Sequence, residues 1–474
     1  MFVSSTYRKK EMFSEEDPDL VIFHANELIT MSTRFGAPRI GENMSELAII
    51  NDGALAVKED RIVFIGTTEE LMSKYEFGKI PTKLDATNKL VTPGFIDPHT
   101  HIIFDGTREN ELSMKLKGMT YLEILHAGGG ILKTVRETRQ APLEKLVRNG
   151  KKILDRMMQY GTTTVEIKSG YGLTTESEIK QLEAIQILNE AHPLDLIPTF
   201  LGAHAIPPEF KDKADKYVEL IISDMIPKIA REGLAEFCDV FCERGIFSVK
   251  QTRKILTTAI RYGLKPQIHI DEIVDTNGAL LASEIRAIQA GHLLKSNDKG
   301  LKAMADAEVI ATLLPGTPFC LMLDDYAPAR KMIQLGIPIA LATDLNPNCW
   351  TESMQMIITL ACYHMNLSPA EALAAATINS ACAIQRQDEI GSLEIGKKAD
   401  LIIGPHDWIG ELIENGLLEP ISLFTELRSK FVLVSLDAFT YGGKLYGLPY
   451  ATESVALFYN KDLVPEPQFL LLLI

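Results

Sequence analysis

Between residues 91 and 385, short apolar runs alternate with longer amphipathic ones, and this alternation constrains the fold more than any other feature. The strand candidates read "GFIDPHTH", "TTVEIKSG", "LIPTFLGAH", "AEFCDVFC", "KPQIHID", "RAIQAGHLL", "VIATLLPG" and "PIALATD". Stretches such as "LEKLVRNGKKILDRMMQYG" and "ESEIKQLEAIQILNEA" carry helical periodicity between them. Eight such units over roughly 290 residues predict an α/β fold, a (β/α)8 TIM barrel with its chemistry at the C-terminal ends of the strands. A doubly wound open sheet is the alternative.

The flanks have a different period. "DLVIFHANELIT", "LAIINDGALAVKEDRIVFIG" and "KLDATNKLVTPG" alternate with period 2 around turn residues, and a similar fragment, "IGSLEIGKKADLII", returns late. They predict a small β-sandwich domain made from residues 19–90 and 386–403, with 91–385 as the barrel. Residues 1–18 are polar and mixed in charge, and are expected to be a disordered leader. The net charge of -15 disfavours nucleic acid or an anionic membrane as partner, although a local arginine can still hold a small anionic substrate. No run approaches the ~18 apolar residues of a membrane span. The six cysteines include no C-x-x-C pair, and Cys238 and Cys242 read as core thiols. A reducing cytoplasm fits best.

The strand count gives the histidines a meaning. His99 and His101 close the first strand, and period 2 turns both to one face. His204 ends the third strand, His269 the fifth and His292 the sixth, while Asp344 ends the eighth. Five of the ten histidines therefore meet at one rim. His99, His101, His269 and Asp344 together suit one divalent ion, zinc or iron. Such an ion lowers the pKa of a bound water toward ~7. A two-metal site would call for a bridging lysine on the fourth strand, but "EFCDVFCERG" has none and Lys168 belongs to the second strand. A single ion is expected.

Further residues suit hydrolysis. Glu272 in "HIDE" is placed to move protons, and His292 to orient water or stabilise charge on a carbonyl oxygen. The plain readings are a solvated loop carboxylate and a satisfied core histidine. Arg108 in "FDGTRENE" could clamp a carboxylate, or be a surface arginine. Tyr171 in "SGYGL" sits between glycines that let its loop approach a ligand.

With these residues assembled, the chain resembles the imidazolonepropionases of the amidohydrolase superfamily over about residues 20–403. The matching stretches are "VTPGFIDPHTHIIFDGTRENE", "AGGGI", "VEIKSGYGL", "FLGAHAIP", "IHIDE", "GHLL" and "ATDLNPN". The pair "KSGYGL" and "FLGAHA" is the most specific. The resemblance implies His99, His101, His269 and Asp344 as ligands of Zn2+ or Fe2+/Fe3+. It implies substrate contacts from Arg108, Tyr171, His204, Glu272 and Asn346. Asn348 and Cys349 stand where many members have glycine and a small hydroxyl residue, and they complete the expected substrate loop. The implied reaction opens 4-imidazolone-5-propanoate to N-formimidoyl-L-glutamate, a step of histidine breakdown, and a homodimer is common in the family. A nucleobase or triazine deaminase would share the ligands without needing Arg108.

From about residue 404 the resemblance changes. "GKLYGLPYATESVALFYNKDL" resembles an internal piece of a periplasmic maltose- or maltodextrin-binding protein. Residues 404–474 are thus expected to be a partial, α+β sugar-binding-protein-like tail. A sugar-binding module is the reading from another functional class, weakened because no second lobe is present to form a cleft.

Overall fold

Strands of three to nine residues, rich in Val, Ile, Thr and Phe, follow one another in the sequence and in space. A computed structural model describes residues 17–119, 123–124, 128–405, 440–441 and 444–445. In it the barrel strands are Phe95–Thr100, Thr162–Lys168, Asp195–Ala203, Phe237–Cys242, Lys265–Ile270, Gln289–His292, Ile310–Leu313 and Ile339–Leu341. They form one eight-stranded sheet in sequential order, and neighbouring strands pair in parallel. All eight strands expected from the alternation are present, so the barrel stands and the open doubly wound sheet does not.

The seam between the first and eighth strands is closed by single bonds in place of a regular ladder. Thr343 donates its N–H to Asp97 Oδ1 at 3.1 Å. Asp344 N–H donates to the His99 carbonyl at 3.1 Å, and His101 N–H to the Leu345 carbonyl at 2.8 Å. Asp97 is fully buried there, and burial pushes its carboxyl up to about 7 against the opposing bonds from Thr343.

Outer helices cover the sheet because their apolar residues recur on one face. Leu143–Gln159 buries Leu146, Ile153, Leu154 and Met157, each side chain contributing about 1.5–3 kcal/mol when fully buried. Thr175–Ala191 starts at Thr174, whose hydroxyl accepts from Ser177 N–H, and buries Leu182, Ile185 and Leu188. The outward faces of the strands (Val165, Ile167, Val240, Ile268) and this helical layer share one apolar core, while Ile96, Ile197 and Phe237 belong to a separate cluster.

A second sheet begins with Leu20–Ile29, antiparallel to Ile49–Lys58, which in turn pairs antiparallel with Arg61–Thr67. Thr82–Asp85 runs parallel to the first of these. The late part of the chain returns to it: Ile62 N–H donates to the Lys397 carbonyl at 3.0 Å and Gly396 N–H to the Ile62 carbonyl at 2.8 Å. Contributions from both ends of the sequence thus meet, as the repeated period-2 pattern anticipates.

The described chain divides into two compact units. One takes in the described residues up to Asp85 together with Val91–Ile402; the other holds Ala86–Leu90 and the described residues from Ile403 onward. In the second, Thr440–Tyr441 pairs antiparallel with Lys444–Leu445. Most of the expected leader and most of the expected tail lie outside the described residues. No described helix is long and apolar enough to cross a membrane.

Candidate active site

His99, His101 and His269 offer one ring nitrogen each within 4.8 Å of one another, all three side chains being buried. Strand register brings them together: His99 and His101 come from the end of the first strand and His269 from the fifth. His99 Nε2 faces His269 Nε2 at 2.9 Å. Asp344, three residues beyond the eighth strand, adds Oδ1 at 3.4 Å from His101 Nε2 and 3.8 Å from His99 Nε2. Its Oδ2 accepts from Thr317 Oγ1 at 2.6 Å, a contact the sequence did not announce. Burial alone would raise the Asp344 carboxyl, but the His101 bond and the surrounding imidazoles hold it well below the usual range.

Burial also lowers His99 and His204 well below an ordinary imidazole, and brings His269 to about 4. These rings are neutral at pH 7, the form a metal takes. Two facing Nε2 atoms and a carboxylate with one oxygen aimed at them make a donor set that fits a borderline divalent ion. Lys168 does not take part as a bridging ligand, because two carboxylates surround its ammonium (Glu166 at 2.9 Å and Asp239 at 2.8 Å).

Two close approaches require glycine. A Cβ on Gly291 would come 3.0 Å from His99 Cε1; on Gly170, whose φ is +105°, it would come 2.9 Å from His204 Nδ1. His292 and Asp344 adopt left-handed backbone at φ 73° and 51°. Positive φ is uncommon outside glycine, though aspartate and histidine adopt it more readily than most, and it gathers at functional sites.

Around the cluster, His204 stacks on His101 with centroids 4.9 Å apart, while its Nδ1 lies 3.1 Å from the Gly170 carbonyl. Tyr171 is buried beside both rings, 5.9 Å and 5.3 Å away by centroid. Its loop is tied to the buried Glu178 carboxylate, which accepts from the N–H groups of Gly170, Gly172 and Leu173 at 3.0, 2.9 and 2.7 Å. Glu272 Oε2 stands 3.7 Å from His292 Nε2, and its side chain keeps 15% of its surface open. Burial raises the Glu272 carboxyl, with His292 opposing.

Arg108 differs from the surface reading: its side chain is 8% exposed and forked onto Glu111, Nε to Oε1 at 2.9 Å and Nη2 to Oε2 at 2.8 Å. Glu111 also accepts from Gly130 N–H at 2.7 Å, so "AGGGI" anchors the arginine through it. The strand-eight loop is self-contained. Asn346 Nδ2 donates to the Asp344 carbonyl at 2.7 Å, and its Oδ1 accepts from the N–H groups of Asn348 and Cys349 at 2.8 and 3.1 Å. Asn348 Oδ1 accepts from Lys115 Nζ at 2.7 Å, and the Cys349 side chain is fully buried. These three residues shape the loop with the polar atoms expected to meet substrate. Cys238 and Cys242 are buried and unpaired, as core thiols should be.

A cleft at the other end of the barrel, lined by Asn189, Asp195, Glu236, Arg386 and Lys398, is occupied by their own ion pairs.

The sequence model of the amidohydrolase family matches residues 90–411. The imidazolonepropionase of Alkaliphilus metalliredigens is 52% identical over 387 residues, covering 81% of this chain and 91% of that protein. The chain belongs to the imidazolonepropionase family of amidohydrolases. The family's protein from Geobacillus kaustophilus is 50% identical over 386 residues, again 81% of this chain and 91% of its own length. Among solved structures, a zinc-bound adenosine deaminase from Xanthomonas campestris superposes with a TM-score of 0.61 at 16% identity, covering 82% of this chain and 85% of that one. Atrazine chlorohydrolase from Arthrobacter aurescens, complexed with zinc, gives 0.59 at 17% identity, covering 82% and 89%. At such identities these structures show the shared fold alone. A second family, bacterial extracellular solute-binding protein, matches residues 387–469.

Proposed function

We infer that the chain hydrolyses the ring amide of 4-imidazolone-5-propanoate, giving N-formimidoyl-L-glutamate. The observation that carries this reading is the 52% identity to an imidazolonepropionase across 91% of that protein's length. The geometry supports it. His99, His101, His269 and Asp344 would hold one divalent ion, zinc or iron, since imidazole and carboxylate suit both. When bound, the ion supplies Lewis acidity at a carbonyl and lowers the pKa of water.

The remaining steps belong to side chains. Arg108 spends Nε and Nη2 on Glu111, which leaves Nη1 to pair with the propanoate carboxylate. Tyr171 and His204 wall the ring between buried aromatic faces. Glu272 takes a proton from the attacking water and returns it to the nitrogen released as the carbonyl C–N bond breaks. His292, within reach of Glu272, stabilises the negative charge that develops on the carbonyl oxygen. Unpaired thiols throughout the described residues favour a cytoplasmic setting.

The test is loss of imidazolonepropanoate absorbance with the metal-loaded full chain, beside a chelated control. Turnover abolished by the chelator is expected; a folded, metal-loaded chain without turnover would sink the assignment. The tail we read, from its sequence, as a partial segment of a maltodextrin-binding type in which no sugar binding is expected. Calorimetric titration with maltodextrin should give no heat, and saturable binding would reverse that reading.

A further inference from the structure

Branched apolar side chains fill the interior of most (β/α)8 barrels, yet behind the histidine cluster this chain places ions. Period 2 sends Glu166 and Lys168 of the second strand to the same side. There they meet Asp239 of the fourth strand and Gln267 of the fifth, all of them buried. Lys168 Nζ lies 2.9 Å from Glu166 Oε1 and 2.8 Å from Asp239 Oδ2, and donates to Gln267 Oε1 at 2.7 Å. The same Asp239 oxygen is 2.9 Å from His269 Nδ1. The ring N–H points off the line to that oxygen, so the contact is short without being a straight hydrogen bond.

Removing three charges from water costs several kcal/mol per ion, and well-packed apolar replacements are often neutral or stabilising. Stability alone therefore gives no reason for this cluster. Its position does: Asp239 touches the one ring nitrogen of His269 that faces away from His99. Lys168 Nζ, 2.8 Å away on the far side, gives Asp239 the cationic partner that a buried carboxylate needs.

We propose that Asp239, clamped by Lys168, is a positioning residue for His269, holding the imidazole proton on Nδ1 and leaving the Nε2 lone pair for the metal ion. Glu166 and Gln267 complete the clamp by occupying the other donors of Lys168. Asp239 touches neither substrate nor the ion, and acts through the orientation and basicity of His269. The inference deepens the metal-dependent reading and rests on it only in requiring an ion at Nε2.

The experiment measures zinc affinity of the full chain by competition with a chromophoric chelator, and the melting temperature of the same protein kept metal-free. Asp239→Asn keeps the side-chain shape and removes the charge; a 10–100-fold weaker zinc affinity is expected, by the usual weight of such outer partners (about that range). A merely structural role would lower the melting temperature of the metal-free chain and leave affinity in the folded protein unchanged, which would overturn the proposal. Where Asp239→Asn does not fold, Asp239→Glu replaces it, moving the carboxylate by one methylene. A roughly tenfold weakening is then expected, and affinity equal to the native chain overturns the proposal. A native chain that takes up no zinc removes the metal reading together with this inference. Native binding with normal turnover, and a variant that binds equally well, removes the inference alone.

Discussion

On the side of the site built from the first, fifth and eighth strands, backbone register sets the polar side chains. On the side built from the loops after the first and eighth strands, the side chains set one another. His99 and His269 arrive opposed because parallel strands end at one level, and Gly291 clears the space beside them. Arg108 is aimed by Glu111, Glu111 is fixed by Gly130, and Asn348 is tied to Lys115. The first side is rigid before any ligand arrives. The second is an arrangement of mutual hydrogen bonds that an anion must join or displace.

This contrast predicts a gradient of effects. Chelation, or His101→Ala, should reduce turnover to background, measured by substrate absorbance; activity surviving in a metal-free sample would remove the basis of the contrast. Glu272→Gln should lower kcat by about 10²–10⁴-fold with little change in KM, the range expected of general acid–base catalysis. An unchanged kcat would return Glu272 to the solvated loop reading.

Arg108→Ala should act on KM for the anionic substrate, by about 10–100-fold, since a charge-assisted hydrogen bond is worth roughly 1.5–3 kcal/mol. Unchanged kinetics would favour the deaminase reading, which has no need of Arg108; a fall in kcat instead would mean that the arginine works on the reacting centre.

The rigid side should also show in stability against pH. Burial holds His269 at about 4 in the metal-free fold against an ordinary 6.5. Between those values the unfolded chain carries the extra proton, so this contribution is present above pH 6.5 and is lost as pH falls toward about 4. His269→Asn should flatten the metal-free profile by up to about 1.4 kcal/mol per pH unit within that window. Urea melts at several pH values would check this, and parallel profiles for both chains would refute it.

The smallest effect belongs to the loop. Asn348→Ala should change kcat/KM by no more than about threefold, because its amide oxygen is taken up by Lys115 Nζ. A large loss would mean that Lys115, once positioned, holds the substrate.

What could be read from the sequence follows the same division. His99, His101, His204, His269 and His292 were legible because a strand's period and its C-terminal end fix where a side chain goes, and no distant partner is needed. Asp239, Glu166 and Lys168 carry a comparable signal, charged residues at inward positions of "FCDV" and "VEIK", yet of the three only Lys168 enters the sequence reading, as a possible bridging ligand. Glu111, Glu178 and Thr317 left no such trace. Each earns its place through a contact with a loop whose path depends on packing, and a helical carboxylate such as Glu178 looks like any solvent-facing residue until three backbone N–H groups are found around it. The loop of Asn346, Asn348 and Cys349 shows the same thing from the other side: side chains after a strand end satisfy their own turn, a contact that no period announces.

The seam of the barrel has a mechanical meaning beyond its hydrogen bonds. His99 and His101 lie on one lip of it and Asp344 on the other, about as far apart in sequence as the barrel allows. An ion shared by them would act as a reversible cross-link closing a loop of some 240 residues, a constraint whose effect on the unfolded chain grows only slowly with loop length yet is already large at this size. The resting cylinder would then be a ring with a clasp, strongest when loaded, and its breathing motions would start where the clasp is undone.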